Sequence, residues 1–327
     1  MEKQKKLKSG GLPVLSIVAP CYNEEEALPI SIEVLSKKIQ ELQNAKIISS
    51  KSFVLFVDDG SSDETWELIR KAAKDKKIRG LRLSANVGHQ NALLAGLYQV
   101  VGHCDAVVSI DADLQDDVNA IDRMLNAYTK GAHVVLGVRG VRDGESDTLF
   151  KRLTAWLYYS LLNVMKVHAT FNHADFRLLS AQALSNLAQF PERNLFLRAL
   201  PRMLHRDIAI VKYVRAARVA GESKYPLSKM FALAWDGISS FSVLPLRFVT
   251  FLGVFISVSS LIAALFVLSS YFSGKTIPGW ASITLPMYLL GGLMMLSMGI
   301  IGEYIAKIFV EVKSRPRFLI DDVLNME

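Results

Sequence analysis

Two aspartates one residue apart, Asp111-Ala112-Asp113, follow the apolar run Ala106-Val107-Val108-Ser109-Ile110 and precede Leu114-Gln115-Asp116-Asp117. The apolar run reads as a buried strand. Adjacent Asp residues favour turns over strand interiors, which places the pair on the loop just past that strand. Two carboxylates there suit a hard divalent cation, with oxygen ligands and room left for phosphate oxygens and water. A lone D-x-D is short, and a solvated acidic turn has the same sequence. The acidic loops elsewhere in the chain decide between the two.

The elements that must position this pair alternate between strand and helix. Val14–Ala19 reads as a buried strand. It is followed by the loop Pro20-Cys21-Tyr22-Asn23 and an amphipathic helix over Glu24–Gln43 with acidic residues in its first turn. Ser52–Val57 is a second strand, and Asp58-Asp59-Gly60-Ser61-Ser62-Asp63 caps a helix reaching Asp75. Arg79–Leu83 is a third strand, Asn86-Val87-Gly88 leads a helix over His89–Val101, and Asp117–Lys130 reads as a helix before a strand at His133–Val138. This alternation predicts a largely parallel sheet flanked by helices, whose ligands sit beyond the carboxyl ends of the strands. Asn23-Glu24, Asp58-Asp59 and Asp111-Asp113 each occupy such an end, and so converge on one crevice. No G-x-G-x-x-G follows the first strand, which argues against a dinucleotide dehydrogenase. An acid-lined crevice would repel a diphosphate unless a cation intervened, so the metal reading gains from its neighbours.

Past Gly140 the pattern is less regular. Arg142–Ser146 is a charged loop, Phe150–Val164 looks helical, and Ala174-Asp175-Phe176-Arg177-Leu178 brings a further acid with an arginine two positions on. Pro191-Glu192-Arg193-Asn194 opens a further helix, and Val211–Val219 alternates like a strand. The six histidines are scattered; His168 and His173 lie near Asp175, but no regular spacing pairs them as metal ligands, and they read as structural.

Composition bounds the partners. The 327 residues carry a net charge of +7 and are 51% hydrophobic, with pI about 9.3 and mean hydropathy +0.26. No nucleic-acid signature is present, so the basic balance points to anionic lipid or a phosphorylated substrate. Cys21 and Cys104 lie in different segments without metal-ligand neighbours, and read as reduced thiols. Residues 1–12 form a basic tail; Pro20 before Cys21 and Glu24-Glu25-Glu26 after it argue against a signal peptide. The apolar excess lies late in the chain. Leu227–Leu244 fits an interfacial helix, while Phe248–Leu268 and Ile283–Ile301 are uncharged and long enough to span a bilayer. Gly291-Gly292 and Gly299 with Gly302 predict close helix packing. Basic residues flank the outer ends of the two runs, so both termini are expected on the cytoplasmic side. The expected layout is a catalytic domain over 13–226, interfacial helices over 227–246, a transmembrane hairpin over 247–310 and a basic cytoplasmic tail over 311–327.

These residues resemble a known family. Ser16-Ile17-Val18-Ala19-Pro20-Cys21-Tyr22-Asn23-Glu24, Val57-Asp58-Asp59-Gly60-Ser61-Ser62-Asp63, Asp111-Ala112-Asp113-Leu114-Gln115-Asp116, Asp175-Phe176-Arg177-Leu178, Pro191-Glu192-Arg193-Asn194-Leu195-Phe196 and Gly302-Glu303-Tyr304 occur in the order seen in the membrane-anchored polyprenyl-phosphate glycosyltransferases. That group comprises the bactoprenol glucosyltransferases and, more distantly, the dolichyl-phosphate mannose synthases. The resemblance spans about Val14 to Ile320. Val87 stands where an aromatic is more usual, and His89-Gln90-Asn91 replaces a more basic stretch.

The resemblance implies a GT-A domain, a Rossmann-like mixed α/β sheet. It also implies inverting transfer of a hexose from a nucleotide-diphospho-sugar, UDP-glucose first, to undecaprenyl phosphate at the cytoplasmic membrane. GDP-mannose, UDP-GlcNAc and an aminoarabinose donor are the alternatives. It implies Mg2+ or Mn2+ on Asp111 and Asp113, with Gln115 nearby. Donor contacts follow at Pro20, Tyr22, Asn23, Glu24 (ribose), Asp58 (base), Asp59, Asn86, Gly88, Asp111 and Ala112; Asp59 is read alternatively as serving the turn before the helix. Asp175, with Asp113 and Arg177, is placed at the reacting atoms, positioning substrate more than abstracting a proton. Arg139, Arg152, Arg177, Arg215, Arg218 and Lys224 are the candidates for the acceptor phosphate. A homo-oligomer, a tetramer, is implied as well. A processive polysaccharide synthase would need a Gln-x-x-Arg-Trp motif and more spans, which this chain lacks. A non-catalytic membrane scaffold would not need the intact acids.

Overall fold

The computed structural model describes residues 11–140, 173–192, 197, 200–214, 244–273 and 280–326. The first strand, β1 (Leu15–Cys21), and its neighbour β2 (Phe53–Asp58) are buried along their whole length. Each has strands on both sides and helices on both faces, which is why their sequences are continuous apolar runs without alternation. β3 (Ile78–Leu83), β2, β1 and β4 (Ala106–Ser109) pair in parallel. On one face Ile17, Ala19, Val54 and Phe56 pack with apolar residues of α1 (Leu28–Asn44), α2 (Thr65–Ala72) and α4 (Ala120–Thr129). On the other, α3 (His89–Gln99) lies directly on the sheet. A Cβ at Gly96 would stand 2.5 Å from Val18 Cγ1 and 2.6 Å from Val57 Cγ2, so only glycine lets this helix approach so closely.

The sheet is mixed, as the GT-A resemblance implies, and less parallel than the alternation alone predicts. Its order is β7-β5-β6-β4-β1-β2-β3-β8. β6 (His173–Ser180) inserts between β4 and β5 (Val134–Arg139) and runs antiparallel to both. The register sets Ser109 opposite Arg177. A segment that the sequence reading left without a strand thus delivers Asp175 to the carboxyl end of β4. α5 (Ala181–Leu187) follows at once, capped by the Ser180 hydroxyl, which accepts from the Ala183 N–H. The short α6 (Pro201–Leu204) leads into β7 (Ile208–Tyr213), parallel to β5.

Two expected boundaries shift for visible reasons. The first helix starts at Leu28 and not at Glu24, with Pro29 in its first turn, where a missing N–H costs nothing. The Glu24-Glu25-Glu26 stretch is held outside it, because the N–H groups of Glu24 and Glu25 donate to Thr65 Oγ1, at the start of α2, and to Asp63 Oδ2 on the loop before it. The fourth helix starts at Ala120 because the Asp117 carboxylate and carbonyl accept the N–H groups of Asn119 and Ala120.

The expected C-terminal tail is a correction. Ile320–Leu324 forms β8, antiparallel to β3 at the sheet edge. Asn325 Nδ2 donates to the carbonyls of Ala73 (2.6 Å) and Ile78 (2.9 Å), and Arg317 donates to Tyr98 Oη (2.7 Å) and to the Phe190 carbonyl (3.1 Å). The chain therefore divides into two units: the sheet with its helices and C-terminal strand, and a unit holding α7 (Leu244–Phe272) and α8 (Trp280–Lys313). In the second unit Phe251, Phe255 and Ile262 of α7 are exposed, as are Ile283, Met287 and Met295 of α8. Among the described residues, Leu293–Lys313 is long and apolar enough to cross a membrane. The helices expected at 150–164 and 227–244 lie outside the described residues, as do most of the basic tail at 1–12 and the segment 215–219.

Asn325→Ala removes both side-chain bonds of the C-terminal strand's anchor. It should lower the thermal midpoint of the purified protein by an amount equivalent to about 1–2 kcal/mol. An unchanged midpoint would mean that the edge strand is not anchored there.

Candidate active site

Three loops at the carboxyl ends of β1, β2 and β4 build the crevice. The first two are laced together. Asn23, in left-handed backbone at φ 51°, donates its N–H to Ser61 Oγ and accepts the Ser62 N–H on Oδ1. Glu25 accepts the Glu64 N–H in return. Gly60 (φ 67°) crosses the chain at Ala85 so tightly that a Cβ would lie 2.6 Å from a backbone carbon. Pro20 is a strand residue opposite Val57, and Tyr22 is exposed.

The adjacent aspartates of β2 do different jobs. Asp58 is fully buried; Oδ1 accepts the Ser61 N–H, and Oδ2 takes no hydrogen bond but lies 3.6 Å from Arg82 Nε. Burial pushes its carboxyl above the ordinary range. Asp59 reaches across to the loop after β3, where its two oxygens accept the N–H groups of Val87 (2.8 Å) and Gly88 (3.0 Å). That carboxylate is a two-pronged clamp on the residues that launch α3. The expected alternative for it, service to the turn before α2, is corrected here: Asp63 accepts the Thr65 N–H at that turn. Asn86 is exposed beside the clamp.

The clamp aims His89. As first residue of α3, it places Nε2 3.4 Å from Asp111 Oδ1 and 3.9 Å from Asp175 Oδ2. Asp111 and Asp113 sit past β4 as the sequence predicts. The Ala112 carbonyl between them accepts the Ser31 hydroxyl, Leu114 turns through left-handed backbone, and Asp113 Oδ1 accepts the Gln115 N–H. Gln115 is buried. Asp116 is also buried and accepts the Tyr213 hydroxyl at 2.5 Å.

Asp175 and Arg177 share a face of β6 because strand side chains alternate, while Phe176, buried, meets Tyr213 edge-on in the core. Arg177 Nη2 donates to Asp175 Oδ1 at 2.6 Å and Nη1 to the Leu197 carbonyl at 2.7 Å, and only 2% of Arg177 is exposed. Its guanidinium is thus spent inside the protein on fixing Asp175, which corrects its assignment to the acceptor phosphate. Arg139 ends β5. Arg152, Arg215, Arg218 and Lys224 lie outside the described residues. His89 is the residue that sequence reasoning passed over, noted only as a departure in composition; its position directly after Gly88 at a helix start was the available signal.

Burial pushes the Asp111 carboxyl up to about 6, opposed by the His89 ring and reinforced by Asp116, Asp175 and Asp113. Crowded carboxylates of this kind fit a divalent cation, which would offset both the burial of Asp111 and the repulsion from its neighbours.

An α/β sheet of mixed strands with an acidic crevice at its strand ends is the GT-A-like arrangement that the resemblance implies. The chain matches glycosyl transferase family 2 over residues 16–188. An uncharacterized glycosyltransferase, YkoT, of Bacillus subtilis (strain 168) is 46% identical over 96% of this chain and 93% of its own. The bactoprenol glucosyl transferase of Shigella phage SfX is 38% identical over 94% of this chain and 98% of its own. The prophage bactoprenol glucosyl transferase homolog of Escherichia coli (strain K12) is 36% identical over 94% and 99%. A solved glucosyl-3-phosphoglycerate synthase from Mycobacterium tuberculosis, in complex with Mn2+, UDP and phosphoglyceric acid, aligns at TM-score 0.48 and 20% identity over 69% of this chain and 76% of that one. The chain belongs to glycosyl transferase family 2 and is a glycosyltransferase.

Two outcomes follow from this geometry. Asp59→Ala leaves two loop N–H groups without their acceptor. It should cost about 1–2 kcal/mol of stability and raise KM for the sugar donor more than it lowers kcat; a KM unchanged in steady-state assays would contradict the clamp. For Asp111, the folded protein binds the proton more tightly than the unfolded chain does, whose carboxyl titrates near 4. The contribution of Asp111 to the stability of the metal-free protein therefore falls as pH rises from about 4 to about 6 and does not return above. With 29% of the Asp111 side chain exposed, solvent moderates that loss. Asp111→Asn should raise the thermal midpoint in chelator at pH 7.5 by about 2–4 °C while abolishing transfer. A lowered midpoint would show that the ionised carboxylate is not strained.

Proposed function

We propose that this protein transfers a hexose, glucose from UDP-glucose in the first instance, to undecaprenyl phosphate at the cytoplasmic membrane face, with inversion at the sugar. The observation that carries the reading is the meeting of Asp111 and Asp175 around His89 at the end of β4. This sets a diphosphate-side acid against a second acid fixed by Arg177. The relatives named bactoprenol glucosyl transferase, aligned over nearly their whole length, support the lipid acceptor.

Asp111 and Asp113 would hold Mg2+ or Mn2+ on the donor diphosphate. When bound, that ion supplies charge neutralisation for the departing nucleoside diphosphate. The protein's own groups do the rest. Asp58, whose Oδ2 takes no hydrogen bond from the protein, is the group assigned to the base edge, which a fully buried carboxylate meets only once the residues over it move aside. Glu24 at the adjoining loop serves the ribose. His89, which reaches both acids, fixes their spacing and takes part in seating the diphosphate. Asp175, oriented by Arg177, places the sugar and acceptor in line. No strong base is required, because a phosphomonoester's second pKa lies near 6 and the nucleophile is already mostly dianionic at pH 7. The C1–O bond to the diphosphate breaks as a phosphate oxygen of the lipid attacks the opposite face.

For the membrane, the two long helices support a hairpin over 247–310 with both termini on the cytoplasmic side. The uncharged runs Phe248–Leu268 and Ile283–Ile301 lie within them, and both expose large apolar side chains. The return of the chain to the sheet as β8 agrees with the catalytic unit and the C-terminus sharing one side.

Purified protein in detergent, given undecaprenyl phosphate and radiolabelled UDP-glucose, GDP-mannose or UDP-GlcNAc, should form a labelled lipid with UDP-glucose. The product should disappear in EDTA and return with Mg2+ or Mn2+, and Asp113→Ala should reduce turnover by at least about 100-fold. Transfer that proceeds equally well in EDTA and in Asp113→Ala would overturn the metal-dependent reading. A labelled product only with another donor would overturn the choice of glucose.

A further inference from the structure

A second cluster of metal-ligating side chains stands at the opposite end of the sheet. His133 precedes β5, Asp207 precedes β7, and His205 ends the short helix before it. One donor atom of each residue lies within 4.8 Å of a donor atom of each of the others. Asp175 lies near the start of β6 and Ser180 at its end. At roughly 3.3 Å per residue they are about 16 Å apart along the strand, so this cluster is remote from the acidic crevice.

The cluster is built rather than incidental. His133 Nδ1 pairs with Ser180 Oγ at 2.9 Å, which fixes the ring and leaves Nε2 as its outward donor atom. A hydrogen bond at the second ring nitrogen is the arrangement that metal-bound imidazoles use. The His133 and His205 rings lie 3.9 Å apart and 29° from parallel. His205 Nδ1 stands 3.5 Å from Asp207 Oδ2 and accepts the Asp207 N–H at 3.2 Å, a contact that a bound cation would take over. Backbone bonds secure the frame: the Asp207 carbonyl accepts the N–H groups of His133 (3.0 Å) and Val134 (3.3 Å), and the His133 carbonyl accepts the Ser180 N–H (2.9 Å).

We propose that His133, His205 and Asp207 form a structural site for a borderline divalent transition metal of the Zn2+ class, with water as fourth ligand. The site would pin the edge strand β7 to the start of β5 and the end of β6. Two imidazoles and one carboxylate are a donor set for Zn2+ and its neighbours, in contrast to the all-oxygen acidic pair that suits Mg2+ or Mn2+. Ligand separations near 3.3 Å, those of a tetrahedral centre with bonds of about 2.0–2.1 Å, require the His205 ring to turn off the face of His133 and the exposed Asp207 side chain to move inward.

The test uses the full chain, free of any affinity tag, as the Asp111→Ala/Asp113→Ala variant, so that the crevice does not compete. Titration with Co2+ should give the intense visible absorption of a four-coordinate site. It should saturate at one ion per chain, be displaced by Zn2+, and be accompanied by a higher thermal midpoint. His205→Ala should abolish the band. Should His205→Ala fail to fold, Asp207→Asn, at an exposed position, should weaken Co2+ binding at least about tenfold. Absence of one-to-one binding, or a band untouched in both His205→Ala and Asp207→Asn, overturns the site. Because the acidic pair is already removed, neither result depends on the proposed glycosyl transfer.

Discussion

The structure is organised around confined negative charge. The carboxylates of Asp111, Asp113, Asp116 and Asp175 gather at the end of one central strand, where burial first and the neighbouring acids second push the Asp111 carboxyl up to about 6. Such a group is stable only if its members are prevented from moving apart or collapsing into the core. The His89 ring stands between Asp111 and Asp175, and donors fixed in direction hold the other acids: the Gln115 N–H on Asp113, the Tyr213 hydroxyl on Asp116 and the Arg177 guanidinium on Asp175. Charge-assisted bonds of this kind are short and strongly directional, so they orient carboxylates without neutralising the crevice.

Connectivity supplies this arrangement. Parallel strands bring loop after loop to the same sheet edge, and the loops at β1 and β2 are tied by side chains that accept each other's N–H groups. Asp59 then passes the order on to the next loop, holding Val87 and Gly88 so that α3 begins with His89 over the acids. The antiparallel insertion of β6 brings the last acid from a distant part of the chain. Asp59 and Asp116 depend on partners in other segments, so the loss of either is felt beyond its own loop.

The return of the chain after α8 adds a second constraint. β8 closes one edge of the sheet, and Arg317 bonds α3 through Tyr98 and the chain after α5 through the carbonyls of Phe190 and Glu192. Residues that follow the apolar helices are therefore part of the catalytic unit, and the edge of β3 is covered instead of being left open to pair with another chain.

The sequence by itself determined the elements whose environment is uniform. Continuous apolar runs announced β1, β2 and β4, their acidic ends announced the crevice, and two uncharged stretches announced the long helices. Those signals are local: burial on both faces and the turn preference of aspartate are written in consecutive residues. Tertiary structure alone decided that Arg177 turns inward onto Asp175, that Asp58 and Asp59 separate in role, that His89 reaches two acids, that the basic tail is a strand, and that His133 meets His205. Arg177 meets Asp175 on its own strand, buried there by the insertion of β6, and the others depend on which residue a side chain finds across the sheet. That partner is set by strand order and register, to which a run of neighbouring residues carries no direct record.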